Sequence, residues 1–195
     1  MRRAIDVAVS VVCLTIFLPI FLLVAVLIKL DSAGPVFYKP RMIGRYGRAF
    51  SLYRFRTISD GRLTRIGAWL RHFSIDHLPM LINLLRGDLT LVGPRPMESH
   101  LVDLQASPWK QYVQVKPGIF NYAVLKLGKL WTSARATHPE LNQQLELEYL
   151  QKRSLHQDWK LLLDSLRSLF ISKGNIKARG EIDPQVEEKL RERGS

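Results

Sequence analysis

The side chains best suited to chemistry fall within SIDHLPMLINLLRGDLTLVGPRP, residues 74–96. Asp76 and His77 stand side by side ahead of an apolar run. A carboxylate at the start of a helix, in a chain rich in arginine, stays ionised and can attack phosphorus as a covalent nucleophile. The ordinary alternative for the same position is a helix cap or a first-turn acid that complements the dipole. His77 reads as a solvated first-turn residue or as an acid–base partner. Arg95 lies between Pro94 and Pro96. Proline fixes its own φ and restricts its predecessor, so this guanidinium is held stiffly. Such a fork suits bidentate grip on a phosphate or a pyrimidine edge, or serves as an exposed arginine on a connector. Arg54, Arg56 and Arg71 can together cradle a polyanion, although each taken singly is an ordinary solvated charge.

The bulk properties agree with an anionic partner. The 195 residues carry a formal charge of +12, with a pI near 10.1. That balance fits nucleic acid, acidic lipid or a phosphorylated small molecule. No recognition helix, zinc-finger spacing or aromatic RNA-binding signature occurs, so nucleic acid is not an expected partner. The single cysteine, Cys13, excludes an internal disulfide framework and multi-cysteine zinc sites.

These residues need an anchor, and the N-terminus supplies one. No charged residue occurs from Val7 to Ile28. A helix over that run is about 33 Å long, enough for a bilayer core. Arg2 and Arg3 precede it. Lys29 and a series of lysines and arginines from Lys39 to Arg71 follow, with Asp60 the one acid between 39 and 71. Positive charge on both flanks asks for both ends on the cytoplasmic side. A helix broken at Pro19 that enters and returns satisfies this; a kinked span with its N-terminus outside is the alternative.

Behind the anchor the chain reads as a mixed, helix-rich α/β protein. Residues 1–32 form the membrane helix, 33–173 a compact cytoplasmic domain with a short β-hairpin, and 174–195 a charged tail. Val36–Tyr38 reads as a strand, GRYG as a turn and AFSLYRFRT as a continuous strand. RIGAWLRHF is a short helix. Residues 76–85 form a helix with Leu78, Leu81, Ile82 and Leu85 on its apolar face. LTLV is extended, 99–113 helical, and KPGIFNYAVL a turn followed by a strand. A long helix runs from 139 to 172, with a break near Ser154, and the polar tail from Gly174 holds at most a short helix, at 184–193. Phe17, Phe21, Trp69, Trp109 and Trp131 are candidates for the membrane interface or the core.

The order of these pieces resembles the small monotopic phosphoglycosyl transferases, the bacterial sugar transferase family that starts lipid-linked glycan assembly. The likeness rests on the proline-broken apolar run, GPVFYKPRMIGRYGRAFSLYRFRT, LRHFSIDHLPMLINLLRGDLTLVGPRP and VKPGI, and covers about Arg3 to Phe170. It implies a re-entrant membrane helix broken at Pro19, on the cytoplasmic face of the bacterial inner membrane. It implies that Asp76 attacks the β-phosphate of a nucleoside diphosphate sugar, releases nucleoside monophosphate and holds the phosphosugar covalently. Polyprenyl phosphate then accepts the phosphosugar. Arg71 matches the arginine preceding the family's Asp-Glu dyad, Arg95 the arginine of its Pro-Arg-Pro motif, and Arg54 and Arg56 a basic pair. Magnesium is the implied cofactor, held at Asp76 and the position of His77, and a homodimer is an implied assembly.

Three departures qualify the likeness. The dyad's glutamate is His77 here, and imidazole is a poor ligand for a hard cation. Magnesium is then held by Asp76 and substrate phosphates alone, or manganese replaces it, or activity is reduced. FNYAVLKLGK replaces the usual residues after VKPGI. The loop between RFRT and RIG is short, and Leu18 stands where a serine usually precedes the membrane proline. The alternative function is a catalytically weak relative acting as a membrane-associated scaffold in the same pathway.

Overall fold

The computed structural model describes residues 2–105, 107–127 and 139–174. Its contacts divide the chain into two units: Met1–Thr90 with Met97–Val102, and Leu91–Pro96 with Asp103–Ser195.

The first unit begins with helix α1, Arg2–Asp31, which includes Pro19. By length and composition α1 could cross a membrane. Asp6, Ser10, Val24 and Ile28 are its buried residues, while Val11, Val12, Ile16, Leu18, Leu22, Leu23 and Val26 are exposed. The spacing of the buried set puts one narrow stripe of α1 against protein and leaves the rest of the apolar surface bare. Val24 and Ile28 meet Phe55 and Leu70 in a core that also takes Phe21, Phe37, Ile66 and Ile75. Phe55 is packed between rings, 5.3 Å from Phe21 and 5.7 Å from Phe37.

A hairpin closes on the expected GRYG turn, but its first strand is Arg41–Ile43 and not the expected Val36–Tyr38. Strand β2 (Arg41–Ile43) pairs antiparallel with β3 (Ala49–Ser51), in the register Met42↔Phe50. Tyr46 and Gly47 have positive φ in its turn. The long strand expected from AFSLYRFRT is instead divided. Leu52, fully buried, and Tyr53 separate β3 from β4 (Arg54–Phe55), which pairs with β1 (Phe37–Tyr38). Strands β5 (Ile58–Ser59) and β6 (Arg62–Leu63) form a small ribbon before α2 (Arg65–His72).

The helix expected over 76–85 is also divided. Ser74 takes the left-handed conformation, φ 57°, and Ile75–His77 forms a 3-10 turn. Pro79 precedes helix α3 (Met80–Arg86). Proline lacks the N–H that a continuous helix would use there, so the turn and the helix stay distinct. Gly87, at φ 87°, closes α3 in the left-handed conformation that glycine adopts without strain.

In the second unit, β7 (Thr90–Val92) forms a two-stranded sheet with β9 (Gly118–Phe120), Leu91 and Val92 being its part in this unit. β8 (Met97–Glu98) belongs to the first unit, on the free edge of β2. The helix expected over 99–113 resolves into a 3-10 turn at Ser99–Leu101 and α4 (Ser107–Tyr112). After β9 the chain turns into α5 (Tyr122–Leu127), where a continuing strand was expected. Leu125 N–H bonds back to Asn121 C=O, and Ala123 and Leu127 are buried on the same face. The long C-terminal helix is broken as expected, into α6 (Pro139–Gln151) and α7 (Leu155–Gly174). Trp131 and the helix expected at 184–193 lie outside the described residues.

Candidate functional site

Asp76 is carried by the 3-10 turn, whose geometry follows from its neighbours. Leu78 N–H closes the turn on Ile75 C=O at 3.0 Å, and Ile75 itself packs on the core. Strand β4 and helix α2 contact the turn. Asp76 is therefore buried, at 6% exposure, although it stands one residue from a half-exposed histidine. It caps neither the turn nor α3. Its Oδ1 lies 2.9 Å from His77 Nδ1. An ionised carboxylate only accepts, so the imidazole Nδ1–H donates in this contact.

Arg71 occupies the last turn of α2, just before that 3-10 turn. Its Nε donates to Thr57 Oγ1 at 3.0 Å, and Thr57 is buried. Gly67 makes this placement possible. A Cβ there would sit 2.2 Å from Thr57 O, so α2 lies directly on the Thr57 backbone. Thr64 caps α2 by accepting from Gly67 N–H at 2.9 Å, and Asp31, the last residue of α1, accepts from Ile66 N–H at 3.1 Å. The end of α1, the start of α2 and Arg71 thus form one hydrogen-bonded frame.

Arg54 and Arg56 were expected together in the polyanion cradle. Arg54 lies on β4, opposite Tyr38. Arg56 bonds the chain end of α1: Nη2 donates to Ser32 O at 2.7 Å and to Ser32 Oγ at 2.8 Å, and Nη1 donates to Ala33 O. Gly34, at φ 118°, packs beneath the same guanidinium.

Arg95 belongs to the second unit. Tyr112 Oη donates to Arg95 O at 2.7 Å, and Gly118 N–H donates to Pro94 O at 2.8 Å. Gly93 and Gly118 touch so closely that a Cβ on Gly118 would lie 2.1 Å from Gly93 N. The Pro-Arg-Pro segment is therefore clamped from β9 and from α4. Glu146 of α6 faces it from a site at 2% exposure, where it accepts from Ala123 N–H at 3.4 Å. Burial pushes this carboxyl up to about 8, against smaller opposing effects of the Ala123 and Arg95 backbone N–H groups and the Arg95 charge. Burial likewise raises the Tyr112 hydroxyl.

Sequence reasoning missed Thr57, Tyr112 and Glu146 as supports. Glu146 carries a usable sign: it shares a helix face with Tyr149, three residues on, among leucines. The support of Arg71 carries none, because Thr57 lies 14 positions away in the chain.

The implied magnesium would need donors from Asp76 and the position of His77. Nδ1 of His77 and Oδ1 of Asp76 point at each other, whereas a shared cation needs both aimed at a common point about 2.0–2.1 Å from each donor. Among the described residues no group of three or more His, Cys, Asp or Glu side chains could hold a metal ion. The Asp76–His77 pair does not fit a protein-held magnesium ion.

Residues 1–172 match the bacterial sugar transferase family model. The chain is 31% identical over 190 residues to UDP-N-acetylgalactosamine-undecaprenyl-phosphate N-acetylgalactosaminephosphotransferase of Aeromonas hydrophila, covering 89% of this chain and 44% of that protein. It is 35% identical over 199 residues to undecaprenyl-phosphate glucose phosphotransferase of Komagataeibacter xylinus, covering 88% of this chain and 36% of that protein. It is 33% identical over 187 residues to UDP-glucose:undecaprenyl-phosphate glucose-1-phosphate transferase of Caulobacter vibrioides, covering 86% and 69%. The chain thus spans less than half the length of the first two relatives. With its family model matched over most of its length, the chain belongs to the bacterial sugar transferase family.

Proposed function

We propose that the chain transfers a sugar-1-phosphate from a nucleoside diphosphate sugar to polyprenyl phosphate, through a phosphosugar held covalently on Asp76, as the first step of exopolysaccharide or other glycoconjugate assembly. In the first half-reaction an oxygen of Asp76 forms a bond to the β-phosphorus. The bond from that phosphorus to the bridging oxygen breaks, and its electron pair leaves with the nucleoside monophosphate. In the second, a phosphate oxygen of the polyprenyl acceptor attacks the same phosphorus and the bond to Asp76 breaks, restoring the carboxylate. Arg71 and Arg54 contribute positive charge for the polyanionic donor; Arg95, in the second unit, keeps a rigid fork of the kind that grips phosphate or base.

The observation that carries this reading is the setting of Asp76: a nearly buried carboxylate fixed by the 3-10 turn and by His77 in a member of a sugar transferase family. The two relatives first described are named for transfer to undecaprenyl phosphate.

The re-entrant arrangement of α1 forms part of the proposal. Both ends of the helix are bonded to the same unit, through Arg3 to Leu84 and Leu85 and through Arg56 to Ser32. A straight helix of 30 residues extends about 45 Å. Crossing the bilayer would carry its first turn away from α3 by the membrane's thickness. Entering and returning, with the change of direction at Pro19, keeps both ends at one face and brings a lipid-borne acceptor to Asp76. The test is release of nucleoside monophosphate from a panel of nucleotide sugars in the presence of polyprenyl phosphate. Asp76→Asn is expected to abolish release, and normal release by that variant would overturn the reading.

A further inference from the structure

The donor count at Asp76 reaches further than the poor fit for magnesium. Its carboxylate has two oxygens. Oδ1 accepts the hydrogen bond from His77 at 2.9 Å, and the remaining oxygen, Oδ2, is the one left for attack on phosphorus. His77 Nδ1 carries the hydrogen in that bond and so has no lone pair to offer a metal. Nε2 is on the opposite edge of the ring and cannot chelate together with Oδ1. The difference in burial supports a fixed orientation. The Asp76 side chain is 9% exposed and that of His77 47%, so the hydrogen bond joins a largely enclosed carboxylate to a half-exposed imidazole. A glutamate at position 77 would place a second carboxylate beside the first, and the two repel unless a cation or a shared proton lies between them. A histidine needs none, since its N–H already meets the carboxylate.

We propose, resting on the covalent role of Asp76, that His77 is a positioning residue that replaces a divalent cation, so that transfer of the phosphosugar to Asp76 proceeds without one. The Nδ1–H bond holds Oδ1 and turns Oδ2 toward the donor. In that step the Oδ2–P bond forms, the bridging P–O bond breaks, and the electron pair departs with the nucleoside monophosphate. The neutral imidazole suffices for the hydrogen bond, and Arg71, held by Thr57, supplies fixed positive charge.

The test follows a single turnover of the purified full chain with nucleotide sugar, reading the covalent adduct by intact mass, in EDTA and in Mg2+. Wild type is expected to form the adduct in both. His77→Asn, whose side-chain amide can donate from the place of Nδ1, retains the reaction in EDTA. His77→Ala slows it about 10- to 100-fold, the usual cost of losing a group that orients a reacting ligand. His77→Glu forms the adduct only with the metal. Titration with Mn2+ followed by electron paramagnetic resonance, in the absence of donor, is expected to show a bound ion in His77→Glu and none in wild type. A wild-type adduct that disappears in EDTA and returns with Mg2+ would overturn the proposal while leaving Asp76 as nucleophile. Loss of the adduct under both conditions would remove the covalent reading itself.

Discussion

Arg3 and Leu84 are 81 residues apart in the chain and joined by a hydrogen bond of 2.6 Å from Nη1 to the backbone carbonyl. Nη2 of the same guanidinium reaches Leu85 O at 2.5 Å. The first turn of the apolar helix thereby satisfies carbonyls at the end of α3, where a cation also complements the helix dipole. Asp6, one turn on, accepts from Thr90 Oγ1 at 3.0 Å. The N-terminus of α1 is built into the first unit as firmly as its C-terminus.

This arrangement predicts membrane topology. In a Cys13→Ser background, single cysteines at positions 2 and 39 should both react with a membrane-impermeant thiol reagent from the cytoplasmic side alone. Labelling of the two positions from opposite faces would establish a crossing helix.

Arg56 and Arg71 should separate in their effects. Arg56→Lys removes the fork that holds Ser32 and Ala33, so its main cost should fall on thermal stability in detergent. Arg71→Lys leaves α1 secured and should chiefly raise KM for the nucleotide sugar. The two planar forks are not interchangeable with an ammonium, but only one of them is proposed to face substrate. Equal KM effects with unchanged stability would contradict this division.

Asn83 is fully buried and bonds three partners: its Oδ1 accepts from Tyr53 N–H at 2.8 Å, while Nδ2 donates to Ser51 O at 2.8 Å and to Asp88 Oδ2 at 2.9 Å. It ties the end of the hairpin to α3. Asn83→Ala takes the partner from the part-buried Tyr53 N–H and leaves a gap at a fully buried position, and should cost about 1–3 kcal/mol in denaturant unfolding. A change below about 0.5 kcal/mol, the range of ordinary surface substitutions, would show that this tie is dispensable.

Glu146 should give the second unit a pH-dependent stability. The folded carboxyl keeps its proton up to about pH 8, whereas the ordinary value is 4.5. Between those values the folded state binds more protons than the unfolded chain. Stability is therefore greatest below the lower value and falls as pH rises through the higher one, with a slope of at most ~1.4 kcal/mol per pH unit. Glu146→Gln should flatten that part of the profile, measured by thermal unfolding in detergent. An unchanged slope in the variant would assign the dependence elsewhere.

The parts legible in the sequence are those encoded by neighbours. The Asp76–His77 pair, the Pro-Arg-Pro collar, the GRYG turn and the break near Ser154 all depend on a few adjacent residues, and each has its counterpart in the fold. The single helix expected over 76–85 failed because apolar spacing outweighed a local signal already present, the proline at 79. Likewise the spacing of AFSLYRFRT shows alternation but not that Leu52 would be buried between two separate pairings. The supports of the site were less accessible. Thr57 meets Arg71 across 14 positions and Tyr112 meets Arg95 across 17. Periodicity indicates which face a residue buries, but not the distant group that it finds there.

A transient bond between Asp76 and phosphorus, as proposed, leaves a covalent adduct that mass spectrometry can detect. The most direct measurement is rapid quenching of the purified full chain with nucleotide sugar and no acceptor, followed by intact-mass and peptide-level mass spectrometry. An added sugar phosphate localised to Asp76 is expected, which polyprenyl phosphate discharges and which Asp76→Asn does not form. Full turnover with no adduct at any quench time, or an adduct on another side chain, would contradict the proposed bond.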